Sequence, residues 1–318
     1  MHRVNKKYFP AFLVCALCLL SACGGSKNNT VSTLFIHKYG TALSENDWDS
    51  RGGNGQIVTM CKDGVTITEN YVDHLLEGKT TYSFPHSSVV DKEKVFRQGH
   101  LLSETLHFTT GIPKEKTEFI SNKERHLTTW FDNGNPKSIE KFINSALQEG
   151  EYYNTSNEIE SRVENGAGTK IVRNTYGEFI SKIEFNNGQK TLMTTYYSNN
   201  DPKVVTPYQN DQVHGIKKYF AINGVPERFE EWKNGIQQGT TLVFRDGQEH
   251  SEQQFAAGSK NGLETIFNDH GMVACEITWK NGLKHGVQKT YINDTVRLEW
   301  YYKDKKVSHS DFEKLAVR

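Results

Sequence analysis

The sequence predicts an all-β protein, an elongated twisted antiparallel sheet of stacked β-hairpins behind a cleaved signal helix. Three observations carry this. Aromatic residues recur with a period near 23. Turn residues follow them at fixed offsets. The apolar content is thin, 36% of 318 residues, while Phe (17), Tyr (14), Trp (5) and Gly (26) are plentiful. A deep globular core is hard to build from such material, and a disordered chain does not carry so many aromatics.

The anchors of the period are Phe96, Phe119, Phe142, Val163, Phe185, Tyr208, Trp232, Phe255, Trp279 and Tyr302, spaced by 21 to 24 residues. Three residues after nine of the ten anchors comes a turn residue, Gly at 99, 166, 188, 235, 258 and 282, and Asn122, Ser145 and Asp211 in three more slots. Seven residues after it stand Gly215, Gly239, Gly262 and Gly286. Further aromatics return twelve residues on, at Phe108, Phe131, Tyr197, Phe220, Phe244, Phe267 and Tyr291. Within one unit Ile277 and Trp279 alternate with Glu276, Thr278 and Lys280, the period-two pattern of a half-buried strand. Asn281-Gly282 supplies the positive φ of a tight reversal. Each unit is therefore two short strands and two turns. One hairpin is marginal in water, but stacked units stabilise one another almost additively. Ten units give about twenty strands, a sheet of roughly 95 Å at ~4.8 Å per strand.

The chain divides accordingly. Residues 1–22 read as a lipoprotein signal peptide, 23–30 as a lipidated flexible tether, and 31–92 as an N-terminal β cap with a degenerate first unit. Residues 93–202 hold weaker repeats, 203–307 the best ones, and 308–318 a C-terminal tail. Within the cap, Leu34-Phe35-Ile36 reads as strand and residues 47–55 as a polar, Gly-rich loop.

At the N-terminus, Arg3, Lys6 and Lys7 precede an apolar run that ends at Leu20. The run is too short for an ordinary membrane span and matches a secretory leader. Leu20-Ser21-Ala22-Cys23 then resembles the lipobox of bacterial lipoproteins. The resemblance implies cleavage after Ala22, a diacylglyceryl thioether on Cys23 and N-acylation of the new terminus. Two or three acyl chains anchor stably at about 0.8 kcal/mol per buried methylene. Gly24 is not acidic, which favours outer-membrane over inner-membrane sorting within the cell envelope. Loss of the leader leaves 35 basic against 38 acidic residues. That balance gives no footprint for nucleic acid.

The phrase Glu276-Ile277-Thr278-Trp279-Lys280-Asn281-Gly282-Leu283-Lys284-His285-Gly286, echoed at residues 252–262 and by His214-Gly215, resembles the bacterial variant of the MORN repeat. That resemblance implies hairpins joined into one long twisted sheet, in a repeat lipoprotein. Phosphoinositide binding, linked to eukaryotic relatives, needs a basic face and is not carried over. Antitoxin-labelled proteins with similar repeats supply a third, weaker reading of function.

No metal, phosphate-loop or nucleophile spacing appears. His214 and His285 read as turn residues, and Glu252, Glu276 and Glu299 as a solvated face with cross-strand Lys partners worth about 0.2–1 kcal/mol each. Neither an enzyme, a cofactor nor a metal is expected. The expected role is a membrane-anchored, non-enzymatic scaffold that binds a protein partner along its sheet. The alternative is a cell-wall or glycan-binding module that stacks ligands on Trp232, Trp279 and Tyr302.

Overall fold

The computed structural model describes residues 29–293 and 295–317. The leader, Ala22, Cys23 and most of the expected tether lie outside the described residues. The tether ends by Asn29, because Thr30 already opens the first strand, Thr30–His37.

Among the described residues, 27 strands form one antiparallel sheet. The long strands pair in chain order, as in Val273–Lys280 between Ser259–Phe267 and Leu283–Ile292, and the two-residue strands Ala42–Leu43, Leu75–Leu76 and Gln212–Val213 pair only with the strand before them. The packing contacts run chiefly between strands that are neighbours in the sheet. The sheet is a single layer. Its few buried apolar residues include Trp48, Ile67, Phe131 and Ile277.

One edge is closed by two-residue turns with both residues at positive φ. Asn187-Gly188 (52° and 72°), Asn234-Gly235 (50° and 78°) and Asn281-Gly282 (52° and 81°) are examples. This is the reversal whose twist matches paired strands. The second residue of the turn also reaches back one unit. The Gly99, Gly188, Gly235, Gly258 and Gly282 N–H groups donate to carbonyls of Leu76, Gly166, Val213, Gln237 and Lys260, at 2.8–3.0 Å. The turns thus form a ladder of their own, and the repeat period is the spacing of its rungs. The loop after Phe119 departs from the rule. It is closed by the Ile120 N–H on the Glu124 carbonyl, and Asn122 does not take the turn position.

The second recurring glycine has a different cause. Between the pairs Ile277↔Gln288 and Trp279↔Lys284, the single residue Thr278 faces His285, Gly286 and Val287. This bulge puts Gly286 at φ +118°, and a Cβ there would stand 3.1 Å from the Thr278 Cβ. Gly239 and Gly262 repeat the arrangement against Glu231 and Gln254.

The sheet is not uniformly extended. At its middle, Ala146–Tyr153 and Ala167–Arg173 touch across the short strand Ile159–Glu164. Lys170 reaches Glu140, three strands away, at 2.6 Å, and the Asp132 N–H reaches the Thr175 carbonyl. Leu147, Tyr152 and Val163 form a buried cluster there, with Phe142 and Phe185 packed on it. A bend with its own small core therefore replaces the evenly twisted sheet that the period predicts.

The ends correct two expectations. Residues 47–55 are not all loop, because Glu45–Ser50 is a helix capped by the Ser44 side chain. Its Trp48 is 4% exposed and packs on Phe35 and Tyr71, closing the first strands. The C-terminal tail carries the helix His309–Ala316, laid over Trp300 and Tyr302 through Phe312. No helix among the described residues is long and apolar enough to cross a membrane.

Two outcomes are expected. Cys61 and Cys275 lie nineteen strand-to-strand steps apart, on Gly55–Cys61 and Val273–Lys280, or about 90 Å along the sheet. Non-reducing peptide mapping of the monomer finds no bond joining them. Gly286→Ala, forced into positive φ against Thr278, lowers stability by about 1–3 kcal/mol in urea unfolding.

Candidate functional site

The register puts the anchors on one face of the sheet and explains what they do. Six of them stand opposite a glycine of the preceding strand, whereas Phe119 and Phe142 both face Arg125. Trp232 pairs with Gly215, Phe255 with Gly239 and Trp279 with Gly262. In the weaker units Phe96 pairs with Gly78, Phe185 with Gly168 and Val163 with Gly150. The glycine of the pair answers to its own strand: a Cβ at Gly262 would meet Gln254 and one at Gly215 would meet Pro207, not the ring opposite.

The last anchor is corrected by the same rule. Gly286 faces Tyr301, not Tyr302. Tyr302 turns to the opposite face, where its ring meets His285 at 5.0 Å and Phe312 at 6.5 Å. Two adjacent tyrosines made the slot ambiguous in the sequence. Phe119 is the most open anchor, 40% exposed, beside the longer loop.

Cations lie over the anchor rings. Lys190 sits 3.7 Å from the Tyr208 centroid, Arg125 4.0 Å from Phe142, Lys260 4.7 Å from Trp279 and Lys284 5.0 Å from Tyr301. Three of these, Lys190, Lys260 and Lys284, fall five residues after an anchor and cover the next one. Sequence reasoning missed this offset, although it was there to be counted.

Carboxylates complete the face. Glu264 is buried and accepts from Trp279 Nε1–H at 2.7 Å and from Lys260 Nζ at 2.9 Å. Glu230, also buried, accepts from Trp232 Nε1–H at 2.9 Å, Tyr219 Oη–H at 3.2 Å and Arg228 Nε at 2.7 Å. Glu299 takes the Tyr301 hydroxyl and Lys306. In the bend, Glu140 is 2% exposed and accepts from Tyr152 Oη–H at 2.7 Å and Lys170 Nζ at 2.6 Å. Burial drives the Tyr152 phenol well above its ordinary pKa, and the Glu140 charge adds to it. A buried carboxylate is tolerated when paired and hydrogen-bonded. These four form a clip that recurs along the face, a carboxylate held between a cation and the polar tip of an aromatic.

Of the residues expected on a solvated face, Glu252 and Glu276 lie on the opposite face, whereas Glu299 is on the anchor face with its side chain 12% exposed, because Tyr301 and not Tyr302 takes the anchor position. Glu276 meets Lys289 at 2.9 Å on the next strand, and that hydrogen bond is the largest cause holding its carboxyl below the usual range. His214 Nδ1 lies 3.2 Å from Asn234 Oδ1 of the following turn, so the first turn histidine braces one unit on another. His285 serves the C-terminal helix instead, packing on Phe312 at 5.5 Å. Burial, then Lys280 and Lys303, lowers its pKa.

No protein-family description and no curated protein matches the chain. Among solved structures, the crystal structure of BamB from Moraxella catarrhalis aligns at 9% identity over 79% of this chain and 80% of that one. The TM-score of 0.14 is too low to indicate a shared fold.

The clip predicts an ordering. Glu264→Ala strands the Trp279 N–H and costs about 1–3 kcal/mol. Glu140→Ala, which leaves Lys170 and a buried phenol without their acceptor, costs about 3 kcal/mol or more. Chemical unfolding followed by far-UV circular dichroism checks both. In a double-mutant cycle, Trp279→Phe combined with Glu264→Ala costs clearly less than the two changes summed.

Proposed function

We propose that the protein is a non-enzymatic repeat scaffold of the MORN-variant type, held at a bacterial envelope membrane by lipid on Cys23 and binding a protein partner along its sheet. The observation that carries this reading is the single-layer architecture. Away from the bend both faces of a long, repeating sheet stay open, and a cluster of ring, cation and carboxylate recurs along one of them. Such a surface suits an extended or repetitive partner better than a small substrate, because its clefts are shallow and its polar groups are spread along a line.

Glycan binding stands second for a stated reason. Stacking a sugar needs a free ring face. The ammonium of Lys260 lies over Trp279, that of Lys284 over Tyr301, and that of Lys190 over Tyr208. The lipid reading rests on the Leu20-Ser21-Ala22-Cys23 sequence alone. Outer-membrane sorting is its corollary.

Two measurements test the proposal. Metabolic labelling with a fatty-acid analogue marks the wild-type chain, and Cys23→Ser abolishes the label and releases the protein from the membrane fraction. In-cell crosslinking with mass spectrometry then recovers a protein joined to residues spread over several repeats. Saturable retention on peptidoglycan beads, with no protein crosslinked, rejects the scaffold in favour of the wall-binding alternative.

A further inference from the structure

The last full strand of the sheet, Thr295–Tyr302, is paired completely on one side only. Leu283–Ile292 covers residues 295–301. On the other side Lys305–Val307 covers Trp300, Tyr301 and Tyr302 and no more. Residues 295–299 are thus an open edge among the described residues.

Alternation identifies the groups left open. Tyr302 and Lys305 flank the two-residue turn Lys303-Asp304, so they exchange hydrogen bonds. Trp300, two residues back, faces the same way, and so do Leu298 and Val296. Thr295, Arg297 and Glu299 direct their backbone groups to Leu283–Ile292. The open edge therefore presents two N–H and two C=O groups, those of Val296 and Leu298. Proteins usually blunt such an edge with Lys, Pro or a bulge. Here the two side chains are apolar and 50% and 56% exposed. They share a face with Trp300, which the C-terminal helix covers through His309 and Phe312.

We propose that this edge pairs with the same edge of a second copy of the chain, antiparallel about a two-fold axis at Arg297. Val296 of each copy then stands opposite Leu298 of the other. Each Val–Leu pair exchanges two hydrogen bonds, so the four open groups of each copy find partners. The two apolar pairs form one patch continuous with Trp300. Moving the register two residues toward the turn opposes Val296 to Trp300, whose edge Val307 already occupies. On the anchor face the axis brings the two Arg297 side chains together. Each is paired with Glu299 of its own chain, which also holds Lys306, so acids alternate with the guanidinium groups across the join. The pattern is complementary to itself, which is what an isologous contact requires. This inference does not depend on the lipid or the scaffold reading.

The other open stretch of the sheet supplies the control. Residues 30–34 lie beside Gly55–Cys61 and are free of Ala42–Leu43, which reaches only Phe35 and Ile36. Val31 there is 66% exposed.

Sedimentation velocity of the full chain in density-matched detergent tests the pairing. The wild type and Val31→Lys are expected to sediment as dimers at micromolar concentration. The double variant Val296→Lys, Leu298→Lys is expected to be monomeric, with association at least tenfold weaker and unchanged circular dichroism. Because 296 faces 298 of the other copy, mixing that variant with Val296→Glu, Leu298→Glu restores the dimer. A wild type that stays monomeric up to about 100 μM overturns the proposal. So does a Lys variant that remains dimeric, a dimer lost in Val31→Lys alone, or a mixture that fails to reassociate.

Discussion

The structure depends on one pairing made again and again, an aromatic anchor standing opposite a glycine of the preceding hairpin. A single-layer sheet has no opposing layer to bury its side chains. It must find its apolar contacts within the sheet itself, between neighbouring strands. Trp279, opposite Gly262, finds its partners on that neighbouring strand, while the bulge that contains the glycine leaves no room for a Cβ, which would stand 3.1 Å from the Gln254 Cβ. The ring would still expose its outer face and its N–H. Lys260 covers the first and Glu264 takes the second. Ring, glycine, lysine and carboxylate therefore belong together, and each explains why the others recur.

Most of the fold was legible because turns have strict requirements. Two consecutive residues at positive φ admit few side chains, and Asn-Gly names that geometry in the sequence. The period followed from the turns, and the strands from the alternation between them. What could not be read has physical causes as well. Tyr301 and Tyr302 offer equivalent rings, and only the pairing with Gly286 distinguishes them. Glu45–Ser50 is a six-residue helix in a polar stretch, fixed by its Ser44 cap and by Trp48 rather than by periodicity. The carboxylate clip was hidden because its acid comes from different places. Glu230 and Glu299 precede their anchors by two residues, while Glu264 is supplied to Trp279 by the neighbouring strand.

The degenerate units are informative in their own right. Around Phe142 and Val163 the period weakens in the sequence, and there the sheet bends and gains a core. Elsewhere an aromatic anchor pairs with a glycine and a lysine lies over the ring, as with Trp279, Gly262 and Lys260. Replace the ring with Val163, set Leu147 where a lysine stands elsewhere, and the face can close on itself. Glu140 then spans three strands to Lys170 instead of meeting a neighbour. Loss of the repeat signature and gain of a buried cluster are the same substitution seen from two sides.

That distribution sets how stability is shared along the chain. Away from the bend each rung is held by its two neighbours, so local opening costs only nearest-neighbour contacts. The ends have one neighbour each and need caps. At the N-terminal end Trp48 is buried between Phe35 and Tyr71. At the C-terminal end the helix has no buried residue and rests on the sheet through Phe312 and His309. The first end is closed by packing and the second by a lighter cover that reaches Trp300 and stops before Leu298. The array is thus secured at its front and middle and least secured at its far end. The end that carries an unpaired strand edge is also the end with the least packing holding it shut.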